Sequence, residues 1–404
     1  MVKEWPRFPI GEILDFKNGL NKGKEFFGFG TPIINYTDVY HNSGIKAKDV
    51  KGKVSLSKDE IRRFEVRKND VFFTRTSETP EEVGLSAVLL EDIQDCVFSG
   101  FVLRGRPKND KLVGEYCKYC FSTKHVREEI VKNCTYTTRA LTNGKVLSAI
   151  EIPVPLKEEQ EKIADALSAF EQYIDDLAEL IEKKKGIRDG ALEDLVSGKT
   201  RINGFSSERK EYSINDITRV VITGGTPSTA REEYYNGDIP WLASTEIHQK
   251  RITKPTTYIT ELGLSNSSAK IAPENSVLIA LAGQGKTRGT VAYLTKPMAL
   301  NQSLAALVTN EKCNSEFLYY MIESMYVPLR ELSSGGGRGG LNKKLIKGVI
   351  VTIPVDVDEQ EAIAKTLLAM DEEIRDLEAE REKIIRIREG AMDDLLTGRV
   401  RLTT

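Results

Sequence analysis

EQEKIADALSAFEQYIDDLAELIEKKKGIRDGALEDLVSGKTRI, residues 159 to 202, returns as EQEAIAKTLLAMDEEIRDLEAEREKIIRIREGAMDDLLTGRVRL, residues 359 to 402, at a constant offset of 200 with no gap. Twenty of the 44 positions are identical, which chance does not produce, so an internal duplication governs how the rest of the chain is read. Each copy reads as one long helix. Neither contains proline, both are rich in Glu, Lys, Leu, Ala and Arg, and Gly198 or Gly398 stands where a helix closes on a left-handed cap. Pro155 and Asp358 lie near the expected starts. At about 1.5 Å per residue, some forty residues make a rod of roughly 60 Å.

The apolar residues of these helices form a seam. In the second copy Ile363, Leu367, Met370, Ile374, Leu377, Ile384, Ala391 and Leu395 alternate in steps of four and three, broken only at Arg381 and Arg388. The first copy keeps Ile163, Leu167, Phe170, Ile174, Leu177 and Ile181, with Lys184 and Arg188 interrupting. A narrow apolar stripe on an acidic helix needs a partner, and the nearest candidate is the other copy. Pairing is therefore expected, antiparallel if a pseudo-twofold axis relates the halves; the alternative is two separate helices, each lying on its own domain.

Blocks of about 150 residues precede each helix, and fainter landmarks recur in them in the same order. GTPIINYTDVY (30–40) resembles GDIPWLASTEI (237–247), and NDVFFTRTS (69–77) answers ENSVLIALAGQG (274–285) as a strand running into a polar loop. EYCKYCF (115–121) answers EFLYYMI (316–322) as a short apolar helix, and LTNGKVL (141–147) answers LNKKLI (341–346). A β-like run ending in Ile-Pro-Val, at Ile152 to Val154 and Ile353 to Val355, then leads into each long helix. The frame persists while the loops differ, as two readers with different targets would require.

Length and charge agree with two domains plus connecting rods, since 404 residues exceed one ordinary domain. Residues 1–150 carry 25 basic against 20 acidic side chains and residues 204–350 carry 17 against 13. The helical segments are acidic, with 8 against 12 over 157–201 and 8 against 14 over 351–404. A polyanion suits the first pair and is repelled by the second. No run of eighteen apolar residues exists, the beginning lacks a basic end followed by an apolar stretch, and five cysteines without framework spacing suit a reducing compartment. A soluble, cytoplasmic protein without membrane contact is expected.

Three motifs suggest other chemistry. ALAGQGKT (280–287) approaches a phosphate-binding loop, but the following residues are β-branched, so a hairpin loop is expected where a nucleotide site needs a helix. GGGRGG (335–340) has dinucleotide spacing without a preceding strand and reads as a glycine loop carrying one arginine. Cys117 and Cys120, with His125 and Cys134, could be offered as a zinc site, yet the two cysteines align with Leu318 and Met321 and read as small apolar core residues. Three histidines and no hydrolase or amino-methyltransferase signature leave no candidate catalytic centre.

Two variable blocks, each leading through Ile-Pro-Val into a copied helix of the Glu-Gln-x-x-Ile-Ala type, resemble the specificity (S) subunits of type I restriction-modification systems over essentially the whole chain. The resemblance implies an α+β chain of two pseudo-repeated α/β target-recognition domains, 1–155 and 204–355, separated by two long helices, 156–203 and 356–404, that form an antiparallel coiled coil. It implies a non-catalytic subunit whose domains each read half of a bipartite double-stranded DNA target. The coiled coil would fix the gap and dock two methyltransferase (M) subunits, with restriction (R) subunits joining to translocate and cleave. S-adenosylmethionine is then expected on the M subunits, with no cofactor or metal in this chain.

Phosphate contacts position such a protein and loop side chains specify the bases. Expected DNA contacts in the first domain are Lys22, Lys24, Tyr36, Thr37, Arg75, Thr76, Ser77, Thr137, Thr138 and Arg139. In the second they are Thr226, Ser228, Ser244, Thr245, Gln284, Lys286, Arg288, Gln302, Arg338 and Lys343. Competing readings are a P-loop ATPase with coiled-coil arms, resting on Lys286 and Thr287 alone, and a stand-alone DNA-binding regulator.

Overall fold

The computed structural model describes residues 5–283, 285–332 and 340–402. The chain divides into two compact units, one formed by Met1–Ala178 with Ala379–Thr404 and the other by Glu179–Glu378.

Both units are built on a five-stranded sheet of the same order. In the first unit the strands run Leu14–Asn18, Val102–Pro107, Val71–Thr74, Ser86–Leu89 and Gly44–Ile45 across the sheet. In the second they run Thr218–Thr223, Leu304–Thr309, Val277–Ala280, Val291–Leu294 and Arg251–Ile252. All neighbours are antiparallel except the last pair of each sheet. The central strands, VFFT and VLIA, are buried along their whole length, which is why they read as continuous apolar runs. Each is entered through an asparagine in the left-handed region, Asn69 (φ 72°) or Asn275 (φ 64°), a conformation that asparagine tolerates better than most residues. A smaller sheet lies beside each: Phe27–Ile34 between Lys53–Val54 and Val97–Phe98, and Tyr235–Leu242 between Thr257–Ile259 and Met298–Leu300, where Lys270–Ala272 adds an edge.

The Ile-Pro-Val runs are strands that close each domain on its own beginning. Glu151–Pro153 pairs with Arg7–Pro9 and Ile350–Pro354 with Arg209–Ser213, both antiparallel. The turns before them form short helices capped by Asn143 and Asn342, whose carboxamide oxygens accept backbone N–H bonds from Val146 (3.1 Å) and Leu345 (3.0 Å).

The repeated segments are helices of 41 residues each, Lys157–Ser197 and Val357–Thr397, and Gly198 (φ 80°) and Gly398 (φ 76°) follow them in the expected left-handed conformation. Within the first unit, Glu159 meets Arg401, Glu171 meets Arg388 and Tyr173 meets Glu380. Within the second, Lys184 meets Glu373, Arg188 meets Asp371 and Arg201 meets Glu359. Rising numbers on one helix meet falling numbers on the other, so each unit holds an antiparallel helix pair, and separate helices are ruled out.

Seam residues serve two purposes that periodicity could not separate. Ile163 and Leu167 sit in the first unit's core with Leu395 and Leu396, while Ile363 and Leu367 sit in the second's with Leu192, Leu195 and Val196. The ends of the seam thus mount the rods on their domains. Leu177, Ile181 and Ile374 are buried, and Phe170, Ile174, Met370, Leu377 and Ile384 half-buried. Arg188 and Arg388, read as interruptions, are interhelical ion-pair partners. Arg188 is 5% exposed and also bonds Glu323; burial works against its charge, and the Glu323 and Asp371 carboxylates overcome that and hold the guanidinium firmly charged.

The Glu-Gln pair that opens each repeat fastens helix to domain. Gln160 accepts a hydrogen bond from the Val113 N–H (2.8 Å) and donates to the carbonyls of Lys111 (2.8 Å) and Pro155 (2.9 Å). Gln360 repeats this with Asn314 N–H (2.8 Å), Lys312 (3.0 Å) and Pro354 (2.8 Å). Both glutamines are fully buried, so every polar atom of the amide has work that water would otherwise do.

One expectation about local structure changes. EYCKYCF shortens to a 3-10 turn, Glu115–Lys118, whereas its counterpart is a full helix, Ser315–Ser324. Cys117 and Cys120 are nevertheless core residues at 2% and 3% exposure, among aromatic and aliphatic neighbours. As expected, the residues after Lys286 and Thr287 enter strand Val291–Leu294, which pairs antiparallel with Val277–Ala280, so a strand follows where a nucleotide-binding loop leads into a helix.

Candidate nucleic-acid interface

Four first-domain candidates converge on one cleft of about 400 Å³, where Tyr36, Thr76, Ser77 and Arg139 share the walls with Tyr40, Glu78, Glu82 and Phe101. Tyr36 opens helix Tyr36–His41, whose start is fixed by the Asn35 N–H donating to the Asp38 carboxylate (2.7 Å). One turn on, the Tyr40 ring stacks on Tyr36 at 5.6 Å between centroids. Strand Thr76–Ser77 pairs with Ala140–Leu141, which carries the exposed turn of Thr137, Thr138 and Arg139 to the cleft.

At the centre lies Glu82. Its carboxylate accepts from the Tyr40 hydroxyl (2.9 Å) and the Ser77 hydroxyl (2.7 Å). These donors, Ser77 first, hold it below the usual carboxylate range. Ser77 is therefore only 7% exposed and spends its hydroxyl inside the protein. Phe101 projects from the opposite wall, 60% exposed, on a turn pinned by Arg75. The Arg75 N–H donates to the Phe101 carbonyl (3.0 Å) and its guanidinium to the Gly100 carbonyl (3.4 Å), so half-buried Arg75 holds the turn. Lys22 is likewise engaged, in an ion pair with Glu60 (2.6 Å) and over the Phe26 ring (4.6 Å). Lys24 and Thr37 are exposed outside the cleft lining.

The second domain presents the same positions with other chemistry. Ala243 N–H donates to the Glu246 carboxylate as Asn35 does to Asp38, which sets His248 where Tyr40 stands. Gly84 and Gly289 donate to Thr74 and Ala280 at equal places in the two central strands, which sets Thr287 where Glu82 stands. The pair is bonded here too, His248 Nε2 to Thr287 Oγ1 at 3.2 Å. The strand registers likewise put Ser303 at the place of Phe101.

Other second-domain candidates are scattered around this loop cluster. Thr226 donates to Gln302 (2.6 Å), joining two of them directly. Ser228, Thr245, Lys286 and Lys343 are exposed, and Ser244 and Arg288 half-buried. The Lys286 carbonyl accepts from Thr290 (2.8 Å) and Tyr326 (2.9 Å), which fixes the backbone beneath an exposed ammonium. Gln284 and Arg338 lie outside the described residues.

Sequence reasoning missed Tyr40, Glu82 and Phe101. An exposed aromatic is indistinguishable from a core aromatic in a one-dimensional pattern, and Glu82 joins Ser77 only through a loop. The one available signal was the Gly100-Phe101 step between two apolar strands.

The family model described as type I restriction modification DNA specificity domain matches residues 2–185 and again 206–386. Over 419 residues the chain is 23% identical to the type I restriction enzyme MjaVIII specificity subunit of Methanocaldococcus jannaschii, covering 99% of this chain and 94% of that protein. Two crystal structures share the fold. The type I restriction-modification S subunit from M. genitalium aligns with TM-score 0.59 at 19% identity, over 97% of this chain and 96% of the other. The HsdS subunit from Thermoanaerobacter tengcongensis aligns with TM-score 0.55 at 16% identity, over 99% and 98%.

Proposed function

The chain belongs to the type I restriction-modification DNA specificity family, and from that premise we propose that residues 1–155 and 204–355 are target-recognition domains, each reading one half of a split DNA sequence. It is a DNA-recognition subunit rather than a catalyst. Partner M subunits would bind S-adenosylmethionine and carry out methylation, two of them docking on the paired helices 156–203 and 356–404. R subunits would join for cleavage, and the assembly would work in the cytoplasm. Among the described residues no helix is long and apolar enough to cross a membrane.

The observation that carries this reading is the repetition of one frame with different loop chemistry. Both units share strand order, the left-handed asparagine and the buried glutamine, yet the loop positions above them hold Tyr40 and Glu82 in one and His248 and Thr287 in the other. Matching scaffolds with unlike surfaces suit two readers of unlike half-sites. Exposed Lys24, Arg139, Lys286 and Lys343 would serve phosphates.

Co-expression with the cognate M subunit, followed by methylome sequencing, tests this. Co-purification of the two and a split adenine-methylated motif are expected. A contiguous motif would overturn the two-reader arrangement, and a chain that binds DNA without retaining a methyltransferase would favour the stand-alone regulator instead.

A further inference from the structure

Several polar positions that build the frame keep their chemistry in both units. Gln160 matches Gln360, Asp38 matches Glu246 as the helix-opening carboxylate, and Asn69 matches Asn275. The bonded pair Tyr40 and Glu82 breaks that pattern, because its counterpart is His248 and Thr287. A contact kept in place but changed in chemistry, with its side chains lining an open cleft rather than the joint between helix and domain, is what a variable reading position requires.

The chemistry of the first pair is specific. Neutral hydroxyls fix the Glu82 carboxylate, those of Ser77 and Tyr40 first with Thr79 beside them, and no cation neutralises it among these partners, so an ionised acceptor with spare lone-pair capacity lines the cleft. An anion in a DNA-facing cleft repels phosphate and the keto oxygens of guanine and thymine, and it accepts only from an exocyclic amine. Exposed Phe101 and the Tyr40 ring supply apolar contact on either side, and Arg139 supplies a cation at the rim. We propose that Glu82, positioned by Tyr40 and Ser77, is the base-discriminating acceptor of the first recognition domain and takes the amine of a cytosine or adenine in the first half-site.

This rests on the two-reader function above, so the experiment separates the two. The assembled complex with its M subunits, wild type and carrying Glu82→Gln, is assayed by methylome sequencing and by binding to duplexes in which each half-site base pair is replaced in turn. Glu82→Gln keeps the volume and removes the charge. Discrimination at one base pair of the first half-site is expected to fall roughly tenfold or more, with the second half-site read as before. Replacing the affected C·G or A·T pair identifies which amine is read. A paired change, Tyr40→His with Glu82→Thr, should shift preference at the same position, whereas Arg139→Ala should weaken binding evenly across sequences.

An unchanged motif with unchanged discrimination in Glu82→Gln overturns the proposal while leaving the split-motif function standing. Loss of both halves together assigns Glu82 to the frame and also overturns it. A wild-type complex with no split motif removes the function and this proposal with it.

Discussion

Arg401 reaches back 242 residues to grip Glu159, Nε to Oε1 at 2.6 Å and the second guanidinium nitrogen to Oε2 at 2.7 Å, while Trp5 donates to the same carboxylate at 3.0 Å. Arg201 meets Glu359 in the second unit through one guanidinium nitrogen, 2.7 Å from Oε2, and Ser207 donates to the same oxygen at 2.6 Å. The tail after each long helix therefore completes the unit in which the other long helix begins. Arg401→Ala should cost about 2–3 kcal/mol, since Glu159 keeps a largely buried charge without its main partner. Hydrogen exchange should place the loss in residues 1–178, and Arg201→Ala should place it in the second unit. Equal loosening of both units from either change would contradict the arrangement.

The same pair sets an acid limit. The Glu159 carboxyl is held below its ordinary value of 4.5, chiefly by Arg401, against the opposing effect of burial. A lowered folded-state value means stabilisation that is complete above the unfolded value and disappears as pH falls through the folded one. The stability gap between wild type and Arg401→Ala should be full at neutral pH and shrink as pH falls through the carboxylate range, closing once Glu159 is protonated in both proteins. Urea titrations across that range measure it, and a gap that widens in acid would be inconsistent with the ion pair.

Arg188 is surrounded by Asp371, Glu323 and the Tyr320 ring, 5.6 Å from its guanidinium carbon. Arg188→Leu removes the cation and leaves two carboxylates facing one another, so a loss of about 3 kcal/mol is expected. Arg188→Leu combined with Asp371→Leu should recover part of it, and a double-mutant cycle with zero coupling would argue that the contact contributes nothing.

Thiol reactivity should rank by burial. Cys96 and Cys313 are pushed up to about 12 by desolvation, and Cys120, buried in the core, is pushed up as well. Half-buried Cys134 is expected to react first with a thiol probe in the native protein, and the other four only on unfolding. Fast labelling of Cys117 or Cys120 would mean that the first core is looser than its packing indicates.

Much of the frame was legible because it repeats. An offset of 200 marked both long helices, and the glycine caps and Ile-Pro-Val strands fell where the pattern put them. The seam was legible only in part, because a stripe of Ile and Leu looks the same whether a helix or a sheet covers it. Ile163 and Leu167 proved to face the domain core. Arg188 and Arg388 looked like defects because their partners lie 183 and 217 residues away. The cleft was least legible. Choosing polar loop residues found Tyr36, Thr76, Ser77 and Arg139, but Ser77 and Arg75 turned inward, and the exposed Phe101 was counted among apolar residues.

Two buried carboxamides carry one further consequence. Exchanging a single nitrogen for oxygen in Gln160 or Gln360 preserves size and shape, yet it turns a group that feeds two carbonyl oxygens into one that confronts them with lone pairs. The resulting glutamic acid must either hold a proton at neutral pH or bury a charge against two carbonyl oxygens. A one-base coding change, or slow chemical loss of ammonia from an ageing molecule, would thereby bring a second, buried titrating group into the joint between rod and head, where the native carboxamide carries no charge at any pH.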